Sequence, residues 1–440
     1  MNTLTRLAGT LEEARTEVPL VRIGGVVREV APHYYRVAGL SPFLRLGDRV
    51  GFDDGDRQVT GEVIRVDDET VAVKPFDGKI NIGVGQTAYR LGAMGLKPHE
   101  GWIGRVVNAL GEPLDDQGPL PRGERMMPPD REPPAAMTRA RINKPLMTGI
   151  KVIDLFTPLC EGQRIGIFAG SGVGKSTMLA MLAGAEGFDV VVVGLVGERG
   201  REVREFLEGP LAANRAKSVV VVSTGDESPM MRRLAPQSAM SIAEYFRDLG
   251  KSVLLIIDSV TRYAHAARDV ALAAGEPAVT RGYAPSTFSD LPRLLERAGP
   301  GLDGGGTITG IFSVLIDGDD HNDPVADSIR GTLDGHVVLD RSIADQGRFP
   351  AVNILGSISR LAELVWSKEQ RELVRRLKAM IARFEDTRDL RLLGGYTPGA
   401  DQDLDQAVAL VPKIYEALRQ SPDTPLSKDA FAELARIMKG

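Results

Sequence analysis

Apolar and polar positions change their spacing along the chain, and each change marks a different kind of structure. In the opening residues Leu4, Leu7, Ala8 and Leu11 fall at helical spacing, with arginine and glutamate on the opposite side, so an amphipathic helix is expected over 1–17. It reads as a docking helix or, equally, as a helix packed on its own domain or a frayed tail. From 18 to 92 the runs VRIGGVVREVA, HYYRVAGL, DRVGFDD, QVTGEVIRVDD and TVAVKPF are short, β-rich and punctuated by turn residues. Several short strands at this spacing predict a small closed barrel, with a hairpin turn at Phe52-Asp53-Asp54-Gly55-Asp56. Residues 101–134 are rich in Gly, Pro and charge, end in MMPPDREPPA, and read as a linker, placed at 112–140. Over 162–355 the apolar runs RIGIFA, VVVVGLV, SVVVVST, VLLIID, TITGIFSVLI and HVVLD alternate with helical stretches. That alternation predicts a mostly parallel sheet covered on both faces, within a domain spanning 93–362. From 363 to 440 the pattern is helical throughout, and no internal repeat stands out.

Composition narrows the class. The 440 residues give room for about three domains. Lys plus Arg is 54 against 59 for Asp plus Glu, so the net charge of −5 gives no global footprint for nucleic acid. Cys160 is the single cysteine and has no internal disulfide partner, and paired Cys/His zinc spacings are missing, which suits a reducing cytoplasm. Neither an eighteen-residue apolar stretch nor a secretory leader is recognisable, so a soluble chain is expected.

The chemistry concentrates between the strand-like run RIGIF and the helix-like run MLAML. There residues 169–177 read AGSGVGKST, a phosphate-binding loop. Gly170, Gly172 and Gly174 let backbone N–H groups turn toward an anion; Ser171 and Val173 fill the positions between them. Lys175 reaches β- and γ-phosphates, Ser176 offers a hydroxyl to Mg²⁺, and Thr177 continues into a helix whose positive N-terminus lies under the phosphates. Ala169 stands where the motif has its first glycine. Asp258 ends the apolar run LLIID, where a carboxylate would hold Mg²⁺; taken alone the segment reads as a strand ending in a cap residue, and the presence of AGSGVGKST turns the reading to the metal. A further strand runs into Gly197-Glu198-Arg199-Gly200-Arg201-Glu202 and should reach the same crevice, since open α/β sheets bind ligands beyond the carboxyl ends of their strands. Glu198 is there a candidate to polarise water, the competing reading being a charged surface turn.

GERGREV, IIDSVTRYA, GYAPSTFSDLPRLLERAG and PAVNILGSISR together resemble the α/β-type rotary ATPases, over most of the chain. The resemblance implies a P-loop (RecA-like) core between an N-terminal barrel and a C-terminal helical domain, with ATP and Mg²⁺ as ligands. It makes Glu198 the catalytic glutamate with Arg199 as its neighbour, and Arg262 a γ-phosphate contact. Arg360 becomes an arginine finger given to the adjacent subunit, and hence implies a homohexameric ring. Phe349 is placed against adenine, with Tyr396 as the other wall; as isolated aromatics both would more often be packing residues.

FAGSGVGKS, IDGDDHNDPVADSIRGTLDGHVVLDR and a short C-terminal domain resemble the flagellar branch of the type III export ATPases. Membership implies ATP hydrolysis that energises export: release and unfolding of chaperone-bound substrates and their entry into the gate. The partners implied are a stator-like regulatory protein on the N-terminal helix, a coiled-coil central stalk, and export chaperones and gate proteins. Peripheral association with the inner face of the cytoplasmic membrane is implied too, the N-terminal helix being suited by amphipathicity to lipid as well as protein. Virulence secretion ATPases share nearly all these motifs. A hexameric nucleic-acid motor shares the core, but the acidic balance and the absence of a basic, aromatic-rich N-terminal module oppose it. A non-catalytic nucleotide-binding scaffold is opposed by Glu198.

Overall fold

The computed structural model describes residues 21–55, 57–316 and 323–439, so the helix expected over 1–17 lies outside them. The chain divides into two compact units, one of residues up to Met94 together with Val270–Glu276, the other of Gly95–Asp269 and Pro277–Gly440.

In the first unit the alternating apolar residues of 18–92 become six strands: β1 (Gly24–Val30), β2 (Tyr35–Ala38), β3 (Asp48–Asp54), β4 (Arg57–Val66), β5 (Thr70–Pro75) and β6 (Thr87–Ala93). They close in the order β1-β2-β5-β4-β3-β6, with β1 pairing back onto β6. Period-2 patterning explains the interior: Val59 and Val63 of β4 and Val71 and Val73 of β5 point inward and pack with Val27, Tyr35, Val50 and Phe52. The β3–β4 hairpin turns at Gly55, whose φ of +63° is the left-handed conformation this corner requires.

The second unit is built on β7 (Val106–Asn108), β10 (Arg164–Ala169), β11 (Val190–Glu198), β12 (Ser218–Thr224), β13 (Ser252–Asp258), β15 (Thr307–Leu315), β16 (Gly335–Leu339) and β17 (Ile358–Ser359). Their order is β17-β16-β10-β15-β13-β11-β12-β7. Every pairing from β16 to β7 is parallel, while β17 runs antiparallel at the edge and β14 (Gly299–Pro300) pairs antiparallel with β15. β8 (Pro145–Leu146) and β9 (Leu159–Cys160) form a separate ribbon. Val190 to Val196 are all buried, which is why this strand reads as one apolar run: helices cover both faces. One is α1 (Lys175–Ala183), buried from Met178 to Ala183; another is α3 (Pro229–Asp248), which packs on β11, β12 and β13. Between them lies α2 (Gly200–Glu208).

The stretch read as a linker is pinned. Val106–Asn108 pairs with β12 and extends the sheet, and Arg105 clamps Asp115 through two 2.8 Å hydrogen bonds. That guanidinium, helped by the N–H groups of Val106 and Gln117, holds the Asp115 carboxyl down at about 2. The C-terminal part contains α5 (Lys368–Asp386), started by a Ser367/Gln370 capping box, then α6 (Gln402–Leu418) and α7 (Ala430–Lys439).

Candidate active site

Three parallel strands deliver their carboxyl ends to one place. β10 leads into the phosphate loop, where Gly172 and Gly174 take φ of +78° and +90°. Residues with a Cβ are strained there, and the turn is what starts α1 at Lys175. β11 ends in Glu198. A bulge between Val196 and Glu198 turns its side chain into the crevice, a common use of bulges beside active sites. β13 ends in Asp258.

These side chains form one charge cluster. The Lys175 ammonium is hydrogen-bonded to Asp258 and lies 3.7 Å from Glu198 Oε1. Arg262 Nη1 is 2.9 Å from Glu198 Oε2 and donates to the Gly197 carbonyl. Ser313 Oγ donates to Asp258 Oδ1 at 2.8 Å. Two cations thus balance two carboxylates, and the side chains of Lys175, Glu198 and Asp258 are no more than 13% exposed. Burial raises the Glu198 pKa above the ordinary glutamate value; Asp258 adds to the rise, while Lys175 and Arg262 oppose it. Glu198 Oε1 is buried and has no hydrogen-bond partner, an acceptor pointing into the site. A poised, partly desolvated carboxylate of this kind can orient water for attack.

The same residues suit a hard divalent cation. Ser176 at the start of α1 is exposed, and one hydroxyl with one carboxylate, Asp258, is the sparse donor set of Mg²⁺ that keeps waters and takes phosphate oxygens. When bound, such an ion neutralises phosphate charge. Ser171, Val173 and Thr177 stand in the loop and first turn as the motif places them, and Arg341, which the motif did not point to, donates to the Ser171 carbonyl at 2.9 Å.

Other residues proposed from sequence fall elsewhere. Arg199 is not in the cluster: its side chain is 80% exposed and pairs with Glu202 of α2 at 3.6 Å. Phe349 borders the loop, since a Cβ on Gly174 would lie 3.6 Å from its ring. Tyr396 does not face it. Its hydroxyl donates to Asp405 near the start of α6, whereas the Phe349 carbonyl accepts the N–H of Gln420 just past the far end of that helix. Fifteen residues at ~1.5 Å rise separate the two anchors by about 22 Å. Gln420 rather than Tyr396 is the residue bonded to Phe349, and its buried side chain holds the Gly149 carbonyl and the Lys151 N–H.

Arg360 lies at the opposite edge of the sheet from its own loop. Its N–H donates to the Asp334 carbonyl, and Asp334 clamps Arg164, the first residue of β10. The six residues of β10 put roughly 20 Å between that level and the phosphate loop. Arg360 is exposed there, at the opposite end of β10 from the cluster in its own chain.

Residues 149–359 match the nucleotide-binding domain of the ATP synthase alpha/beta family, and residues 366–436 match the T3SS EscN ATPase C-terminal domain. A flagellum-specific ATP synthase of Agrobacterium fabrum is 58% identical over 417 residues, covering 95% of this chain and 88% of the relative. The chain belongs to the flagellum-specific ATP synthase family. The SPI-2 type 3 secretion system ATPase of Salmonella typhimurium is 44% identical over 84% of the chain and 86% of its own length. Among solved structures, the assembled ATPase EscN of the enteropathogenic E. coli type III secretion system aligns with a TM-score of 0.88 at 38% identity, over 94% of this chain and all of the other. EscN in complex with its central stalk EscO gives 0.86 at 37%, with the same coverage.

As a member of the flagellum-specific ATP synthase family the chain is an ATPase, and its barrel, parallel-sheet core and C-terminal helices are the architecture of that assembled relative. Among the described residues no helix is long and apolar enough to cross a membrane.

Proposed function

We propose that this chain hydrolyses Mg²⁺-ATP at sites shared between neighbouring copies in a homohexameric ring, and that turnover energises flagellar type III export at the cytoplasmic face of the membrane. Lys175 neutralises the β- and γ-phosphates, Ser176 and Asp258 would hold Mg²⁺, Glu198 orients the attacking water, and Arg262 holds Glu198 while facing the γ-phosphate. The observation that carries this is Glu198 itself, clamped between Lys175 and Arg262 beside the phosphate loop with one buried oxygen left open. Phosphoryl transfer asks for positioning and positive charge more than covalent chemistry, and these residues supply both. Placement of Arg360 some 20 Å from its own loop supports its service to a neighbour, as do relatives that assemble. The 58% identity to a flagellar relative, against 44% to a virulence one, favours flagellar export.

A central stalk in the ring is supported by the EscO complex of the relative. The stator-like protein, export chaperones, gate proteins and membrane-surface position follow from the family resemblance. Glu198→Gln tests the assignment: nucleotide binding is expected to persist while turnover disappears and cells carrying the change lose motility without a growth defect. Normal turnover in that variant would sink it.

A further inference from the structure

The amino edge of the sheet carries a polar network for which the cluster at the carboxyl edge has no use. Gln163, fully buried and immediately before β10, accepts the Cys160 N–H through Oε1 at 2.9 Å. Its Nε2 donates to Ser359 Oγ at 3.1 Å and to the Asp334 carbonyl at 3.3 Å. Arg164 next to it gives Asp334 three bonds: its N–H at 2.9 Å and Nε at 3.1 Å to Oδ2, and Nη2 at 3.0 Å to Oδ1. Asp334 returns its N–H to the Arg164 carbonyl at 2.9 Å. Glu296, at the end of α4 (Pro285–Glu296), sits 2.5 Å from Arg164 Nη1 and holds the outer side of the guanidinium. The last link is backbone: the Asp334 carbonyl accepts the Arg360 N–H at 2.9 Å. Gly335 lets β16 and β17 come this close, since a Cβ there would lie 2.4 Å from the Ile358 carbonyl oxygen.

Most of these bonds converge on Asp334, and two of them reach the end of the edge strand β17: Gln163 donates to Ser359 Oγ, and the Asp334 carbonyl accepts the Arg360 N–H. β17 has only two residues and a single neighbour, too little ladder to fix the direction of an exposed arginine. A finger works only if its planar fork is held in place before charge develops. We propose that Gln163, Arg164 and Asp334 are positioning residues for Arg360, locking it to the amino end of the same strand whose carboxyl end carries the phosphate loop. This rests on Arg360 acting at a neighbour's site. β10 then touches two catalytic sites in the ring, its own through the loop and the next through the finger, so one strand physically joins them.

The test is a double-mutant cycle on the full chain. Asp334→Asn, Arg360→Ala and the double variant are compared by kcat and KM for Mg²⁺-ATP, with ring mass measured in parallel. Asp334→Asn is expected to lower kcat by about tenfold or more, leave KM within about twofold, and cost no further rate in the Arg360→Ala background. A kcat close to the parent's, or an equal further loss without Arg360, overturns the proposal, because a merely structural role would add to the loss of the finger. Should Asp334→Asn fail to form rings, Gln163→Met, which keeps the volume and removes the amide bonds, is judged by the same outcomes. A wild-type rate in Arg360→Ala alone would instead refute the trans finger, so the two failures are told apart.

Discussion

Arg297→Met tests whether the scaffold behind the site is held as the structure indicates. Arg297 and Glu244 form an ion pair with side chains 3% and 0% exposed, bonded through Nε at 3.1 Å and Nη2 at 2.9 Å. Nη2 also reaches Ser241 Oγ at 3.1 Å, and Nη1 donates to the Pro129 carbonyl. Glu244 belongs to α3, which packs against the two strands ending in Glu198 and Asp258, so the pair fastens that helix behind the catalytic edge. Removing the arginine leaves a buried carboxylate without its cation, a loss of about 3–5 kcal/mol. Against a typical total of roughly 5–15 kcal/mol this is a large share. Replacing both partners, Glu244→Leu with Arg297→Met, removes the charge along with its counterion and should recover at least half of the loss, as apolar replacements of buried pairs often do. Urea unfolding followed by the fluorescence of buried Trp102 reads both variants. A loss below about 1 kcal/mol for Arg297→Met, or a double variant as unstable as the single changes summed, would refute the reasoning.

The raised pKa of Glu198 has a consequence for rate. On the proposed role its unprotonated form is the one that orients the attacking water, so kcat/KM should fall as pH drops through a value above that of an ordinary glutamate. Arg262→Ala removes a charge that holds this pKa down, and the acid limb should move to still higher pH; a limb that stays or moves lower contradicts the pairing. Ser313→Ala deletes a 2.8 Å bond to Asp258. Bonds to charged groups are worth about 1.5–3 kcal/mol, so kcat at saturating Mg²⁺-ATP should drop by about tenfold or more, and an unchanged kcat would exclude Ser313 from holding Asp258.

The parts of the site readable from sequence are those encoded locally. A phosphate loop is contiguous because one turn between one strand and one helix makes it, and Glu198 and Asp258 are strand ends that a parallel sheet must bring to a single edge. Ser313, Arg341 and Gln420 were invisible, since each joins the site through a neighbour distant in sequence: Asp258, Ser171 and Phe349. Tyr396 shows the opposite error. The family resemblance made it the second ring wall, yet its hydroxyl is bonded near the start of α6 while Phe349 is bonded past the other end of that helix. Val106–Asn108 was lost in a Gly- and Pro-rich stretch because three residues are too few for a period, and only pairing with β12 makes them a strand.

The shared site is tested most directly by mixing two inactive chains. Glu198→Gln subunits lack the residue that orients water but keep the finger; Arg360→Ala subunits lack the finger but keep Glu198. In a ring formed from both, an Arg360→Ala subunit beside a Glu198→Gln subunit has one complete site at their junction. ATPase activity of the mixture is expected to rise well above the sum of the two parents, and a mixture no more active than the parents would contradict a site completed by the neighbouring copy.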